Sequence, residues 1–183
     1  MSFQKAALVI DVRNMYTMVG RKFPGQILSY GAAVKALQEK LNVRFVHKVA
    51  YIMQSSSKAK HFINFLKTEG FEVHAADVTW NVEIALRCTE IIPSVDALIL
   101  GSNYNEHGRI LRFAREKGKF TYAFGTAFPP GFKNVADLVE IEEALTKAGP
   151  KKEKVLDNPR QQLELPSESN STTPNDFSAE ASG

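Results

Sequence analysis

The sequence is short of several things, and each shortage excludes a class of protein. It holds one cysteine, Cys88, in 183 residues. That leaves no internal disulfide and no cysteine-based zinc site, and it agrees with a reducing compartment. No apolar run approaches the roughly 20 residues that a membrane helix needs. The start, Met1-Ser2-Phe3-Gln4-Lys5, lacks the cationic, apolar and small-residue sections of a secretory leader. The expectation is a cytoplasmic protein without membrane association. Three phosphate or nucleophile loops are also missing: Gly-x-Gly-x-x-Gly after the first strand, Gly-x-x-x-x-Gly-Lys-Ser/Thr, and Gly-x-Ser-x-Gly. Dinucleotide binding, P-loop chemistry and an α/β-hydrolase are therefore poor fits.

Acidic residues are scarce in one region. Residues 1–67 carry eleven Lys/Arg against Asp11 and Glu39 alone, a net charge of +9, while residues 68–148 carry −4 and residues 149–183 carry −2. The overall +3 thus hides a basic first third. Such an excess is either a polyanion footprint or a solvated lysine-rich surface.

What is present reads as one domain over residues 1–148 followed by a tail. From residue 149 onward come Pro150, Pro159, Pro166 and Pro174, a Lys-Lys-Glu-Lys run, and then polar residues with few aliphatics. A stretch with so little apolar surface cannot offset its ordering entropy, so residues 149–183 are expected to be a disordered polar tail. Its Leu156 and Leu163-Glu164-Leu165 are a candidate docking segment for a protein partner. There is no internal repeat.

Within the domain, short apolar runs alternate with helix-period segments. Ala6-Ala7-Leu8-Val9-Ile10 is continuous, as in a strand buried on both faces. Further strands are expected at 45–53, 71–75, 97–100, 120–124 and 136–141. Helices are expected at 30–41 after Ser29, from Ser55-Ser56-Ser57 to Gly70, at 81–92 and at 105–117, with a short last helix after 141. Alternation of this kind predicts a three-layer α/β/α fold with a mainly parallel central sheet of five to six strands. Ligands of such sheets sit beyond the carboxyl ends of the strands, where the strand order reverses. The loops to read are then Asp11-Val12-Arg13-Asn14 and Gly101-Ser102-Asn103-Tyr104-Asn105.

Asp11 directly follows an apolar strand, where it either caps the next turn or faces a crevice. Ser102, Asn103 and Asn105 either serve as turn and cap residues or form an amide and hydroxyl crevice suited to phosphate. The stretch Val9-Ile10-Asp11-Val12-Arg13-Asn14 resembles the opening motif of NYN domains, the LabA-like branch of the PIN-like nucleases. Asn81-Val82-Glu83-Ile84-Ala85-Leu86 resembles the family's "Val-Asp-Val-Ala-Leu" helix. Residues 97–105 fall where the family has its "Ser-Gly-Asp-x-Asp" loop, and Arg115 to Lys119 resemble its helix–Gly–strand exit. The resemblance spans about residues 5 to 143.

It implies a ribonuclease centre in which carboxylates hold Mg²⁺ or Mn²⁺ and water attacks a phosphodiester. Here Asp11 and Asn14 are kept, Glu83 stands for the helix aspartate, and neutral Asn103 and Asn105 stand for both loop aspartates. The change halves the formal charge of the four-residue site, so the metal is expected to bind weakly at Asp11 and Glu83. Arg87, four residues on, is expected to compete for Glu83. Glu106 stands beside the loop but points elsewhere.

Other residues near these loops are basic or aromatic. Arg109, Arg112 and Arg115 recur at i, i+3 and i+6, and Lys58 and Lys60 open the helix after the second strand. They are phosphate contacts or a solvated face. Tyr16, Trp80 and Tyr104 are candidates to stack on unpaired bases. His107 is the one histidine near the loop, and Cys88 is expected in the core. The preferred reading is an RNA-binding domain with a weakened or lost nuclease centre. RNA is the expected contact of Asn14, Lys58, Lys60, Ser102, Tyr104, Arg109 and Arg112. An active Mg²⁺/Mn²⁺ endoribonuclease using Asp11 and Glu83, and a protein-interaction scaffold without nucleic acid, are the alternatives. A homodimer is compatible with all three.

Overall fold

In the computed structural model, which describes residues 3–53, 57–76, 80–140 and 142–148, one strand feeds two cores. Along β1 (Gln4–Asp11), Ala6, Leu8 and Ile10 enter a first cluster of buried side chains while Ala7 and Val9 enter a second. An uninterrupted apolar run therefore has a purpose at every position. Leaving water is worth about 1.5–3 kcal/mol for each of the larger side chains.

The chain continues through α1 (Val12–Lys22), β2 (Gln26–Leu28), α2 (Tyr30–Leu41), β3 (Val43–Met53), α3 (Ser57–Thr68), β4 (Glu72–Ala76), α4 (Asn81–Ile91), β5 (Ala97–Gly101), α5 (Gly108–Glu116), β6 (Phe120–Gly125), β7 (Asp137–Glu140) and β8 (Leu145–Lys147). Six strands form a parallel sheet in the order β4-β3-β1-β5-β6-β7. Helices α1, α2 and α3 supply Met15, Leu37 and Leu66 to the first core. Helices α4 and α5 supply Ile84, Cys88, Leu111 and Ala114 to the second. This is the expected three-layer α/β/α arrangement. Cys88 is buried as expected, and burial pushes its thiol up to about 12.

Three details differ from the sequence reading. Val12, Arg13 and Asn14, read as part of a loop, open a helix that runs from Val12 to Lys22. The segment read as one helix over 105–117 opens as a 3₁₀ turn, Asn105–His107, before α5. In place of a last helix there is one 3₁₀ turn, Glu142–Ala144, and then β8. Strand β8 pairs antiparallel with β2, and Ser29 N–H donates to Ala144 C=O at 2.9 Å beside them. The serine cap at 55 and 56 and the tail beyond 148 lie outside the described residues.

This closing strap also answers part of the basic excess. Lys22 meets Glu140 at 3.1 Å and Glu142 at 3.6 Å, and Lys40 meets Glu143 at 2.8 Å. Exposed pairs of this kind contribute about 0–1 kcal/mol each, so they align the strap more than they stabilise it. Among the described residues, no helix is long and apolar enough to cross a membrane.

Strands β3 and β4 lie to one side of β1, and β5, β6 and β7 to the other. The order reverses between β1 and β5, where Ile10 stands opposite Gly101. That register places Asp11 and Ser102 together at the carboxyl edge. A side chain at 101 would force the Phe124 ring to shift, because its Cβ would lie 2.4 Å from that ring.

Candidate functional site

Strand β1 passes into α1 with no loop. Asp11 is at once the last strand residue and the helix cap, its Oδ1 accepting the Asn14 N–H at 2.9 Å. One turn in, the buried Asn14 side chain spans the gap to the end of β5. Its Oδ1 accepts the Asn103 N–H at 2.8 Å and the Ser102 hydroxyl at 3.4 Å, and its Nδ2 donates to Asn103 Oδ1 at 2.9 Å.

These bonds settle which atom of each amide is oxygen. A backbone N–H can meet only the oxygen of Asn14, so the Asn14 nitrogen faces the oxygen of Asn103, and the Asn103 NH₂ is left outside the network. Ser102 Oγ in turn accepts the Tyr104 N–H at 3.3 Å and meets His107 Nδ1 at 2.8 Å. One proton serves the contact between Ser102 Oγ and His107 Nδ1, carried by the hydroxyl or by the ring. Its Nε2 is buried without a partner among the described residues.

Both ionisable groups beneath the crevice are pushed toward neutrality by burial. Burial raises the Asp11 carboxyl above its ordinary range, against the Asn14 N–H and the Arg13 charge, which lower it. Burial takes the His107 imidazole down to about 4.

Among the described residues, the donor set does not fit a resident Mg²⁺ or Mn²⁺. Such ions want several oxygens, carboxylates among them. Asp11 commits one oxygen to the α1 cap, and the side-chain oxygen of Asn103 is taken by Asn14. Glu83 is exposed on the first turn of α4, where its backbone carbonyl accepts the Tyr51 hydroxyl at 3.3 Å. Among the described residues, no group of three or more His, Cys, Asp or Glu side chains is placed to hold a metal. The expected Arg87–Glu83 pair is not formed either. Arg87 reaches instead to Glu72 on β4 and to Glu90 at 3.0 Å, because the neighbouring strand brings Glu72 within range.

The structure thus brings Asp11, Asn14, Ser102 and Asn103 into one hydrogen-bonded cluster with His107, and Tyr104 stands at its margin. Asn105 is exposed, and the turn it opens has no side-chain cap, so it is not the expected N-cap. Glu106 is exposed next to it. Lys60 is exposed near the start of α3, at the carboxyl edge, while the Lys58 side chain lies outside the described residues. Arg109, Arg112 and Arg115 are exposed on α5, which returns toward the amino edge of the sheet. At 1.5 Å per residue, the last two lie about 4.5 and 9 Å further along than Arg109. Arg115 donates to the Asn134 carbonyl at 3.4 Å. Tyr16 is exposed, but Trp80 is buried against Tyr51 and has no surface to offer a base.

Beside the Asn14–Asn103 pair lies a pocket of about 360 Å³, bounded by Asn14, Thr17, Arg21 and Lys22 of α1 and by Asn103 and Tyr104. Sequence reasoning missed Thr17 and Arg21. The signal was there: Asn14, Thr17 and Arg21 recur at i, i+3 and i+7, opposite Val12, Met15 and Val19. It shows only once Val12 is known to begin a helix.

The sequence model of the NYN domain family matches residues 5–142. No curated protein matches the chain at a significant level. Among solved structures, the chain is similar to the crystal structure of a protein of unknown function from Vibrio parahaemolyticus. The TM-score is 0.71 at 22% identity, over 79% of this chain and 97% of that one. That likeness is one of fold.

Proposed function

This chain belongs to the NYN domain family, whose members have a PIN-like, nuclease-type domain, and from that premise we propose that it binds RNA through a centre whose metal-dependent cleavage is weakened or lost. One observation carries the reading: at the β1–β5 switch point, amides and a hydroxyl occupy the crevice with Asp11, which is the one buried carboxylate among the described residues. Amide N–H groups and hydroxyls donate hydrogen bonds to phosphate oxygens, but they carry no charge to hold a metal ion and are poor bases. The basic first third supplies the long-range attraction, and the switch-point residues supply the contact. Asp11 then serves as the cap that aims Asn14.

Two measurements on the purified full chain test this. The affinity for a fluorescent single-stranded RNA should fall steeply as salt rises, because phosphate contacts release counterions. Absence of binding would favour a protein scaffold. Cleavage of labelled RNA in Mn²⁺ should be absent in both the natural chain and Asp11→Asn, which keeps the helix cap. Cleavage that disappears in Asp11→Asn would show instead an active endoribonuclease working through Asp11 and Glu83.

A further inference from the structure

We propose that the pocket beside the Asn14–Asn103 pair is a metal-independent seat for one phosphate of single-stranded RNA, with Arg21 and the Asn103 NH₂ as donors and Tyr104 against the adjoining base. The proposal rests on the RNA-binding reading above and names how that site holds its substrate.

The argument begins with the direction of hydrogen-bonding atoms. The network spends the oxygens of Asn14 and Asn103 on each other's neighbourhood, so the atom that Asn103 has left to offer is a donor. Two further polar walls of the pocket are donors, the Arg21 guanidinium and the Lys22 ammonium, while the Thr17 hydroxyl gives its proton to the Arg13 carbonyl at 3.0 Å. A site built for a hard cation presents oxygens, whereas one built for a phosphate presents N–H groups. The two cations differ. Lys22 is held by Glu140 and Glu142, while Arg21 is exposed and makes no ion pair among the described residues. Arg21 is therefore the charge available to a ligand, and its planar fork suits a phosphate.

Size and lining fit a single nucleotide unit. The volume of about 360 Å³ is at the small end of ligand pockets. Met18 and Ala127 provide an apolar wall. Tyr104 is 41% exposed and is braced at 5.8 Å against His107, which places a half-free aromatic ring at the rim. Stacking on such a ring requires a base that has left its duplex, so the substrate is single-stranded.

The test uses the full chain and a fluorescent oligouridylate, with binding followed by anisotropy in EDTA and in Mg²⁺ at matched ionic strength. The natural chain should bind equally in both. Arg21→Ala should lose about tenfold in affinity and lower the salt slope by about one. Asn103→Asp keeps the oxygen that Asn14 needs but turns the outward NH₂ into a second oxygen, so it should also lose about tenfold in EDTA. Melting curves matching the natural chain confirm that both variants are folded. If the natural chain binds in a salt-dependent manner but both variants bind like it, the seat is wrong and the RNA-binding reading stands. The same holds if binding requires Mg²⁺. If the natural chain binds no RNA at all, the reading beneath the seat fails with it.

Discussion

Helices α1 and α5 leave the two strands that flank the switch point, yet they meet the crevice in different ways. Helix α1 starts at once, capped by Asp11, and turns Asn14, Thr17 and Arg21 along the pocket. Helix α5 starts only after a 3₁₀ turn with no side-chain cap, and its three arginines are exposed along an axis that leads away from the edge. The helix with more arginine lends no side chain to the pocket. Charge density in a sequence thus says little about which charges border the pocket. The strand-to-helix junction decides it, by fixing which face of the helix borders the crevice.

The joint between the two arms is Asn14, so the largest effect should come from removing it. Asn14→Ala leaves the Asn103 N–H and the Ser102 hydroxyl without their acceptor, and should cost about 3 kcal/mol in urea unfolding. A loss under 1 kcal/mol would mean that the arms are held apart from this bond. On the α5 side, pH probes the hidden imidazole. Above pH 6.5 the ring is neutral in both states. Between 6.5 and about 4 the unfolded chain takes a proton that the folded chain refuses, so stability falls as pH falls. The slope reaches about 1.4 kcal/mol per pH unit. His107→Gln should flatten that slope in unfolding curves run at pH 7 and pH 5.

Two smaller effects sharpen the contrast at the strand ends. Gly101→Ala drives a methyl group into Phe124 and should cost about 2 kcal/mol, typical of overpacking, measured as a lower melting temperature. Asp11→Ala should cost about 1 kcal/mol through the lost α1 cap, whereas Asp11→Asn should lose little by that route. Equal melting temperatures for Asp11→Ala and Asp11→Asn would show that the cap contributes nothing.

The parallel sheet was legible because strands buried on both faces spell themselves as apolar runs, as residues 6–10 and 97–100 do. The polar cluster was legible at Asp11, Asn14, Ser102 and Asn103 because the switch-point rule names loops, and these residues are among the loops' polar members. Helix α1 was hidden for a physical reason. A strand that becomes a helix without a linker offers no turn residues to mark the change, and Thr17 and Gly20 dilute its helical signal. The partner of Arg87 was also hidden, since Glu72 is distant in sequence and adjacent only through the packing of α4 beside β4. Strands β2 and β8 are three residues each and pair across more than a hundred residues, so neither has a local pattern to read.

That last pairing has a bearing on synthesis. Residues 26–28 leave the ribosome early, but their partners at 145–147 emerge only after the six-stranded sheet has been made. At about 5–20 residues per second, β2 waits roughly 6–24 seconds with an open edge. Ile27 and Leu28 are without their strand partners during that interval, and β1 likewise lacks β5 until residues 97–101 have been made. Among the described residues, the strap makes the last strand pairing that synthesis allows, and its arrival closes this edge.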